Sequence, residues 1–142
     1  MPSFTLEQLN QTSAAFVGDQ MQLPPMVSAV KKDGVPLYKL ARQGLEVERR
    51  ERLIHIYSFQ FTSYQEPIGC FRVACTKGTY VRTLAHDFGR KLGCGAHLAA
   101  LRRTASGRFD VAEALPLYPV LALSTAELEK RVIPFLKLAR EA

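Results

Sequence analysis

Phe71-Arg72-Val73-Ala74-Cys75-Thr76-Lys77-Gly78-Thr79-Tyr80-Val81-Arg82 passes from one kind of regular structure into another. Up to Lys77 apolar and polar residues alternate loosely, the period of a strand with one face buried. After Gly78-Thr79 the period changes. Val81, Leu84, Ala85, Phe88 and Leu92 form an apolar stripe at helical spacing, with Arg82, His86, Asp87, Arg90 and Lys91 off it. Just upstream, Tyr57-Ser58-Phe59-Gln60-Phe61-Thr62 alternates strictly, and Glu66-Pro67-Ile68-Gly69 reads as a hairpin loop between the two strands. A strand pair feeding a helix, with no regular βαβ repeat, predicts an α+β fold: a mixed, largely antiparallel sheet with flanking helices.

The flanks carry their own signals. Thr5 and Gln8 stand at capping-box spacing, with Phe4 and Leu9 at the staple positions. Leu6, Leu9, Ser13 and Phe16 continue a helical face that Gly18 is expected to stop. Gln22-Leu23-Pro24-Pro25-Met26-Val27-Ser28-Ala29 cannot be a helix interior, because its prolines impose an extended path. Asp33-Gly34 signals a turn. Leu37, Leu40 and Ala41 give a short helix that starts after Pro36 and is closed by Gly44. Gly93-Cys94-Gly95 ends the helix of the opening stretch and leads into an expected strand from His97 to Thr104. Ser124 and Glu127, with Leu123 and Leu128, start a last helix, interrupted by Pro134.

Composition bounds the function classes. The chain has 142 residues, 47% hydrophobic and 23% charged, as in one globular domain that buries roughly two-thirds of its unfolded surface. We therefore expect a single domain over residues 1–142. No apolar run approaches the ~20 residues of a membrane span, and Met1-Pro2-Ser3-Phe4-Thr5 lacks the pattern of a secretion signal. Cys70, Cys75 and Cys94 are odd in number and form no CxxC pair, which indicates neither a disulfide framework nor a zinc site and makes the cytoplasm the expected location. Lys and Arg number 19 against 13 Asp and Glu, a net +6. Residues 49–108 hold eleven basic and three acidic side chains, and the flanks hold eight and ten. All of the positive excess thus sits in the middle of the chain. A localised basic surface suits polyanions, nucleic acid above all, although charge by itself equally fits a basic surface with no partner.

Few residues carry candidate chemistry. Tyr80 and Arg82 project from the first turn of a helix, whose free N–H groups favour anions. A solvated arginine is the commoner reading of Arg82, and Tyr80 equally suits a core residue with a wet hydroxyl. If residues 97–104 form a strand, Arg102 and Arg103 face opposite ways, one free to bind phosphate and the other to pair internally. Lys31-Lys32 reads equally as a phosphate contact or as plain surface. His55, His86 and His97 are scattered without metal-ligand spacing, so no metal is expected. There is no GxxxxGK[ST] loop, no GxGxxG and no GxSxG elbow, and Cys94 lacks a paired base beyond His97.

Three blocks taken together resemble the TruB family of tRNA pseudouridine synthases. The first is Gln22-Leu23-Pro24-Pro25-Met26-Val27-Ser28-Ala29-Val30-Lys31 with Gly34, Leu37-Tyr38 and Ala41-Arg42-Gln43-Gly44. The second is Lys77-Gly78-Thr79-Tyr80-Val81-Arg82, and the third is Leu92-Gly93-Cys94-Gly95-Ala96-His97-Leu98 running into Leu101-Arg102-Arg103 and Ser106-Gly107. They follow family order and spacing over roughly residues 5–117. The resemblance implies a partial pseudouridine-synthase-like fold. It also implies a reaction that isomerises a T-loop uridine of tRNA to pseudouridine without metal or organic cofactor, on a base flipped into a pocket. Arg82 then resembles the arginine that ion-pairs with and orients the catalytic aspartate. Tyr80 resembles the pocket tyrosine beside the base, and Leu101 an apolar wall of the pocket. Lys31, Arg42, Lys77, Arg102, Arg103 and Arg108 make up the implied RNA-binding set, with the tRNA T-arm as partner.

One departure stands out. The family's aspartate lies in a Gly-x-Leu-Asp-Pro-x-Ala-type motif upstream of the first block, and Asp19, Asp33, Asp87 and Asp110 all lack that context. The upstream tyrosine that would stack on the flipped base is also missing. The expectation is the downstream part of a catalytic domain, lacking the aspartate-bearing part and a C-terminal RNA-binding domain, and inactive by itself. Arg82 should then be solvated, paired with Asp87 or another acid, or holding an anion. The alternatives are a non-catalytic RNA-binding module, or an assembly half that pairs with the missing part or with a second copy.

Overall fold

The computed structural model describes residues 3–28, 31–32 and 34–134, with the backbone alone at 31–32. Thr5 begins the first helix, α1 (Leu6–Ala14). Its hydroxyl accepts from the Gln8 N–H at 3.1 Å, and the Gln8 carboxamide accepts from the Thr5 N–H at 2.8 Å. Two otherwise unpaired donors are thereby satisfied. The helix closes at Ala15, where the Phe16 and Val17 N–H groups turn back onto the carbonyls of Ser13 and Ala14. Gly18 does not stop the helix. With φ of 107° it opens a strand instead, β1 (Gly18–Gln22).

Two two-residue strands, β2 (Lys31–Lys32) and β3 (Val35–Pro36), pair antiparallel around Gly34. Asp33 of the expected turn, together with Ala29 and Val30, lies outside the described residues. The short helix α2 (Leu37–Arg42) follows, and Gly44 takes up a left-handed φ of 72° just beyond it. The long strand β4 (Arg52–Gln65) then pairs antiparallel with both β1 and β5 (Ile68–Cys75), giving the order β1–β4–β5. The helix α3 (Val81–Leu92) starts at Tyr80 and ends at Gly93. The fold is α+β, and every strand pair among the described residues is antiparallel.

Leu9 and Phe16, Leu84 and Phe88 of α3, and Ile54, Ile56, Phe59 and Phe61 of β4 form the core. Phe59 meets Phe88 edge-on at 5.5 Å, and Phe61 stacks on Phe88 at 4.8 Å. Each buried side chain of this kind contributes roughly 1.5–3 kcal/mol. Tyr57 departs from the strict alternation. The register steps from Ile56 opposite Cys75 to Ser58 opposite Ala74, so Tyr57 is the extra residue of a bulge and is 61% exposed. A second register shift between Phe61 and Ser63 returns Tyr64 to the edge of the core.

The expected strand over His97–Thr104 is absent. No regular element occupies Gly93 to Thr104. The chain after α3 lies back against that helix, with the Gly95 N–H donating to the Gly89 carbonyl at 3.0 Å, and no neighbouring strand pairs with it. A strand needs a partner for its N–H and C=O groups. The chain divides into two compact units, residues 1–100 and 101–142. The second unit contains a hairpin, β6 (Ala105–Ser106) with β7 (Phe109–Asp110), about Gly107. A 3-10 turn (Val111–Glu113) and the helices α4 (Leu117–Leu121) and α5 (Thr125–Glu129) follow. α4 carries no signal in the sequence reading. α5 begins at Ser124, as expected, and ends well before Pro134.

Candidate active site

Gln22 ends β1 on the inner side of the sheet and is 5% exposed. Its carboxamide holds the backbone of Tyr80 at both ends. Oε1 accepts from the Tyr80 N–H at 2.7 Å, and Nε2 donates to the Tyr80 carbonyl at 3.2 Å. Tyr80 is the residue on which α3 starts, and its carbonyl also accepts the Leu84 N–H at 3.0 Å. Gly78, with φ of 87°, makes the turn between strand and helix possible.

The second tie runs between the same segments. Arg82 is exposed, and its Nη2 donates to the Val27 carbonyl at 2.7 Å. Arg49 serves the same loop, donating from Nη1 to the Pro24 carbonyl at 3.0 Å. Proline-rich loops leave carbonyls without ladder partners, and the two arginines cover two of them. Among the described residues Arg82 has no ion pair, so of the alternatives offered for it the pairing with Asp87 is not made and the solvated state is the one observed. One carbonyl uses a small part of a guanidinium's five donors. The remainder face solvent, where a carboxylate can take two in parallel. Beside this contact lie two buried hydroxyls without hydrogen-bond partners, Ser28 Oγ and Thr79 Oγ1.

The structure brings Lys77, Tyr80 and Arg82 together on one turn, with Lys77 exposed just past the end of β5. Arg42 lies at the end of α2, exposed, with its guanidinium 5.4 Å from the Tyr38 ring centroid. The backbone of Lys31 is in β2, and its side chain lies outside the described residues. Leu101, Arg102, Arg103 and Arg108 belong to the second unit and are all exposed, Leu101 at 62%. Arg102 and Arg103 are not on a strand, so the argument that they face opposite ways does not hold. Neither makes an ion pair among the described residues. The Arg108 guanidinium lies 5.7 Å from the Phe109 ring.

Two features escaped the sequence reading. Gln22 was visible only as a member of a motif; its signal is a polar residue at the inward phase of β1. The other is a cross-strand pair, Asp19 opposite His55, whose Oδ1 and Nδ1 are 2.6 Å apart, with the Tyr57 ring 4.7 Å from the imidazole. No local motif announces it. Among the described residues no cluster of three or more His, Cys, Asp or Glu is arranged to hold a metal ion, and no helix is long and apolar enough to cross a membrane.

The fold and the turn can be set beside known proteins. The model of the TruB family pseudouridylate synthase N-terminal domain matches residues 1–81, and that of the tRNA pseudouridylate synthase B C-terminal domain matches residues 82–137. A protein of Opitutus terrae named tRNA pseudouridine synthase B is 58% identical over 94% of this chain and 56% of its own length. Those of Syntrophotalea carbinolica and Geobacter sulfurreducens are each 50% identical, over 89% and 84% of this chain and 42% and 40% of their own. The chain thus spans about half the length of the curated relatives it matches. Its fold is similar to that of a chain in the crystal structure of a Cbf5–Nop10–Gar1 complex, with a TM-score of 0.65 and 31% identity over 82% of this chain and 31% of that one. With one family model over more than half of its residues, a second over residues 82–137 and a relative 58% identical over 94% of its length, the chain belongs to the TruB family of tRNA pseudouridine synthases.

Proposed function

We propose that this chain is the Tyr80- and Arg82-bearing portion of a tRNA pseudouridine synthase, which isomerises a T-loop uridine to pseudouridine. The observation that carries the reading is the exposed guanidinium of Arg82. It is held by the Val27 carbonyl at 2.7 Å and unpaired with any acid among the described residues. It is therefore oriented and still has donors for a carboxylate. In this reading an aspartate outside the chain starts the reaction on the flipped-out nucleotide. Arg82 orients that carboxylate and favours its charged form. The glycosidic bond breaks, the base rotates beside Tyr80, and it rejoins the ribose through carbon. The chemistry needs no metal or organic cofactor.

Lys31, Arg42, Lys77, Arg102, Arg103 and Arg108 are the residues we assign to phosphate contacts along the T-arm. The eleven-to-three excess of basic side chains over residues 49–108 supports that assignment. The compartment assigned by this reading is the cytoplasm, and the residues form part of one catalytic domain completed by an aspartate-bearing partner segment.

The test is incubation with tRNA followed by analysis of the T-loop for pseudouridine. The 142-residue chain by itself gives no product. Joined to the upstream part of the Opitutus terrae relative it turns over, and Arg82→Ala in that fusion abolishes product while leaving tRNA binding. Product from the chain alone, or a fusion indifferent to Arg82→Ala, overturns the reading. A second reading, a non-catalytic RNA-binding module, draws on the same basic excess, and an inactive fusion that still binds tRNA would favour it.

A further inference from the structure

Tyr80 stands where a strand has ended and a helix has yet to begin. Its N–H lies before the helical ladder, and β5 stops at Cys75, so no sheet neighbour is available to it. A backbone N–H in that position needs another acceptor if it is not to be left partly buried and unpaired. Gln22 supplies it from 58 residues away, and the same carboxamide donates to the Tyr80 carbonyl. A carboxamide that both accepts from and donates to one residue's backbone mimics a neighbouring peptide unit. It thus completes a rung of sheet where no strand exists.

Gln22 itself is immobilised. Its backbone forms the last rung of β1 with β4, opposite Arg52, and its side chain is almost wholly buried. Two residues beyond, Pro24 is also buried, and its carbonyl is bonded to Arg49. Two residues past Tyr80, Arg82 returns a bond to the loop that Gln22 begins. Residues 22–28 and 80–82 therefore hold each other at two carbonyls and one N–H.

We infer that Gln22 is a positioning residue for the uridine site: its buried carboxamide fixes the Tyr80 backbone and thereby the directions in which the Tyr80 ring and the Arg82 guanidinium leave the turn. The inference rests on the reading of Tyr80 as a pocket residue. A misplacement of about 1 Å in such a group can cost on the order of 100-fold in rate, so the clamp matters beyond its contribution to folding.

The test uses the 142-residue chain and two readouts. The first is amide hydrogen exchange at Tyr80, with the Phe59 amide of the core strand as reference. The second is affinity for a T-arm RNA hairpin carrying the target uridine against the same hairpin with an abasic site there. Aromatic–base contact makes the expected preference of the wild type for the uridine hairpin about tenfold. Gln22→Met keeps the volume and removes both hydrogen bonds. It should speed Tyr80 exchange by at least about tenfold relative to Phe59 and reduce the preference to below about twofold, with the salt dependence of binding unchanged, since the phosphate contacts are untouched. Gln22→Glu keeps the acceptor and loses the donor. It should leave the Tyr80 N–H protected while weakening the uridine preference, and it serves if the Met variant does not fold. Unchanged Tyr80 exchange in Gln22→Met, or a Gln22→Glu chain with full preference, overturns the inference. If the wild type discriminates and Gln22→Met discriminates equally, the inference alone fails. A wild type that does not distinguish the hairpins overturns the pocket reading of Tyr80 and this inference with it.

Discussion

Gly89 sits inside α3, where helix propensity favours replacing it with alanine by about 1 kcal/mol. Its surroundings argue the other way. A Cβ built there would lie 2.1 Å from the Ala96 nitrogen, 2.3 Å from the Gly95 carbonyl carbon and 2.5 Å from the Ala96 Cβ. These contacts are mostly backbone, which cannot swing aside as a long side chain can. Residues 94–97 would have to move away as a unit and give up the 3.0 Å bond from the Gly95 N–H to the Gly89 carbonyl. Overpacking costs about 1–3 kcal/mol and the lost hydrogen bond about 1 kcal/mol. After the propensity gain, the net expectation for Gly89→Ala is destabilisation by about 1–3 kcal/mol. With a urea dependence of about 2 kcal/mol per molar, the unfolding midpoint should fall by about 0.5–1.5 M. Gly93→Ala is the control. Its φ of 80° is left-handed but nothing lies within 4 Å of the added carbon, so it should lose only about 1–2 kcal/mol. A Gly89→Ala chain as stable as the wild type, or more so, would refute the close approach of the 93–96 turn to α3.

Other consequences can be measured on the same chain. Asn10 clamps Phe61 as Gln22 clamps Tyr80, its Nδ2 donating to the Phe61 carbonyl at 3.2 Å and its Oδ1 accepting from the Phe61 N–H at 2.8 Å. Asn10→Ala should therefore lose about 2 kcal/mol in urea or thermal unfolding, and a loss below about 0.5 kcal/mol would contradict the clamp. The Glu127 carboxyl is held below the ordinary glutamate range by hydrogen bonds from the Ser124 side chain and backbone. Because the folded value is the lower one, the cap of α5 is at full strength above the unfolded value and is lost as pH falls through the folded one. Its carbon-13 titration should show a depressed midpoint that rises part of the way back in Ser124→Ala, where only the backbone N–H bond remains, and an ordinary midpoint in the wild type would remove this account of the cap. If about four phosphates are contacted, tRNA affinity should fall with salt at a logarithmic slope of roughly −3 to −4; salt-independent binding would exclude the basic surface as the interface.

Much of the fold was legible because its signals are local. The Thr5–Gln8 cap, the stripe from Val81 to Leu92 and the change of period at Gly78 each involve residues within a few turns of one another. Where the reading failed, a neighbour distant in sequence had intervened. Tyr57 left the buried face because the pairing of β4 with β5 slips by one residue there. The strand expected over His97–Thr104 pairs with no strand among the described residues, and Gly95 and Ala96 just before it turn back onto α3 at Gly89. Gly18 proved to be the start of a strand because Gly18 to Gln22 find partners from Ile56 to Arg52.

The candidate site divides in the same way. Motif and spacing identified the family and singled out Tyr80 and Arg82 as candidates, since residue type and order survive in a linear string. The string contains no measure of which backbone groups are left unpaired once it folds. That Gln22 closes on Tyr80 across 58 residues and that Arg82 rests on the Val27 carbonyl across 55 follow from the packing of β1 beside β4 and of α3 against the same sheet. Only that arrangement brings an unpaired N–H and a buried carboxamide within hydrogen-bonding distance, because a hydrogen bond depends on a separation of about 3 Å in space and not on any separation along the chain.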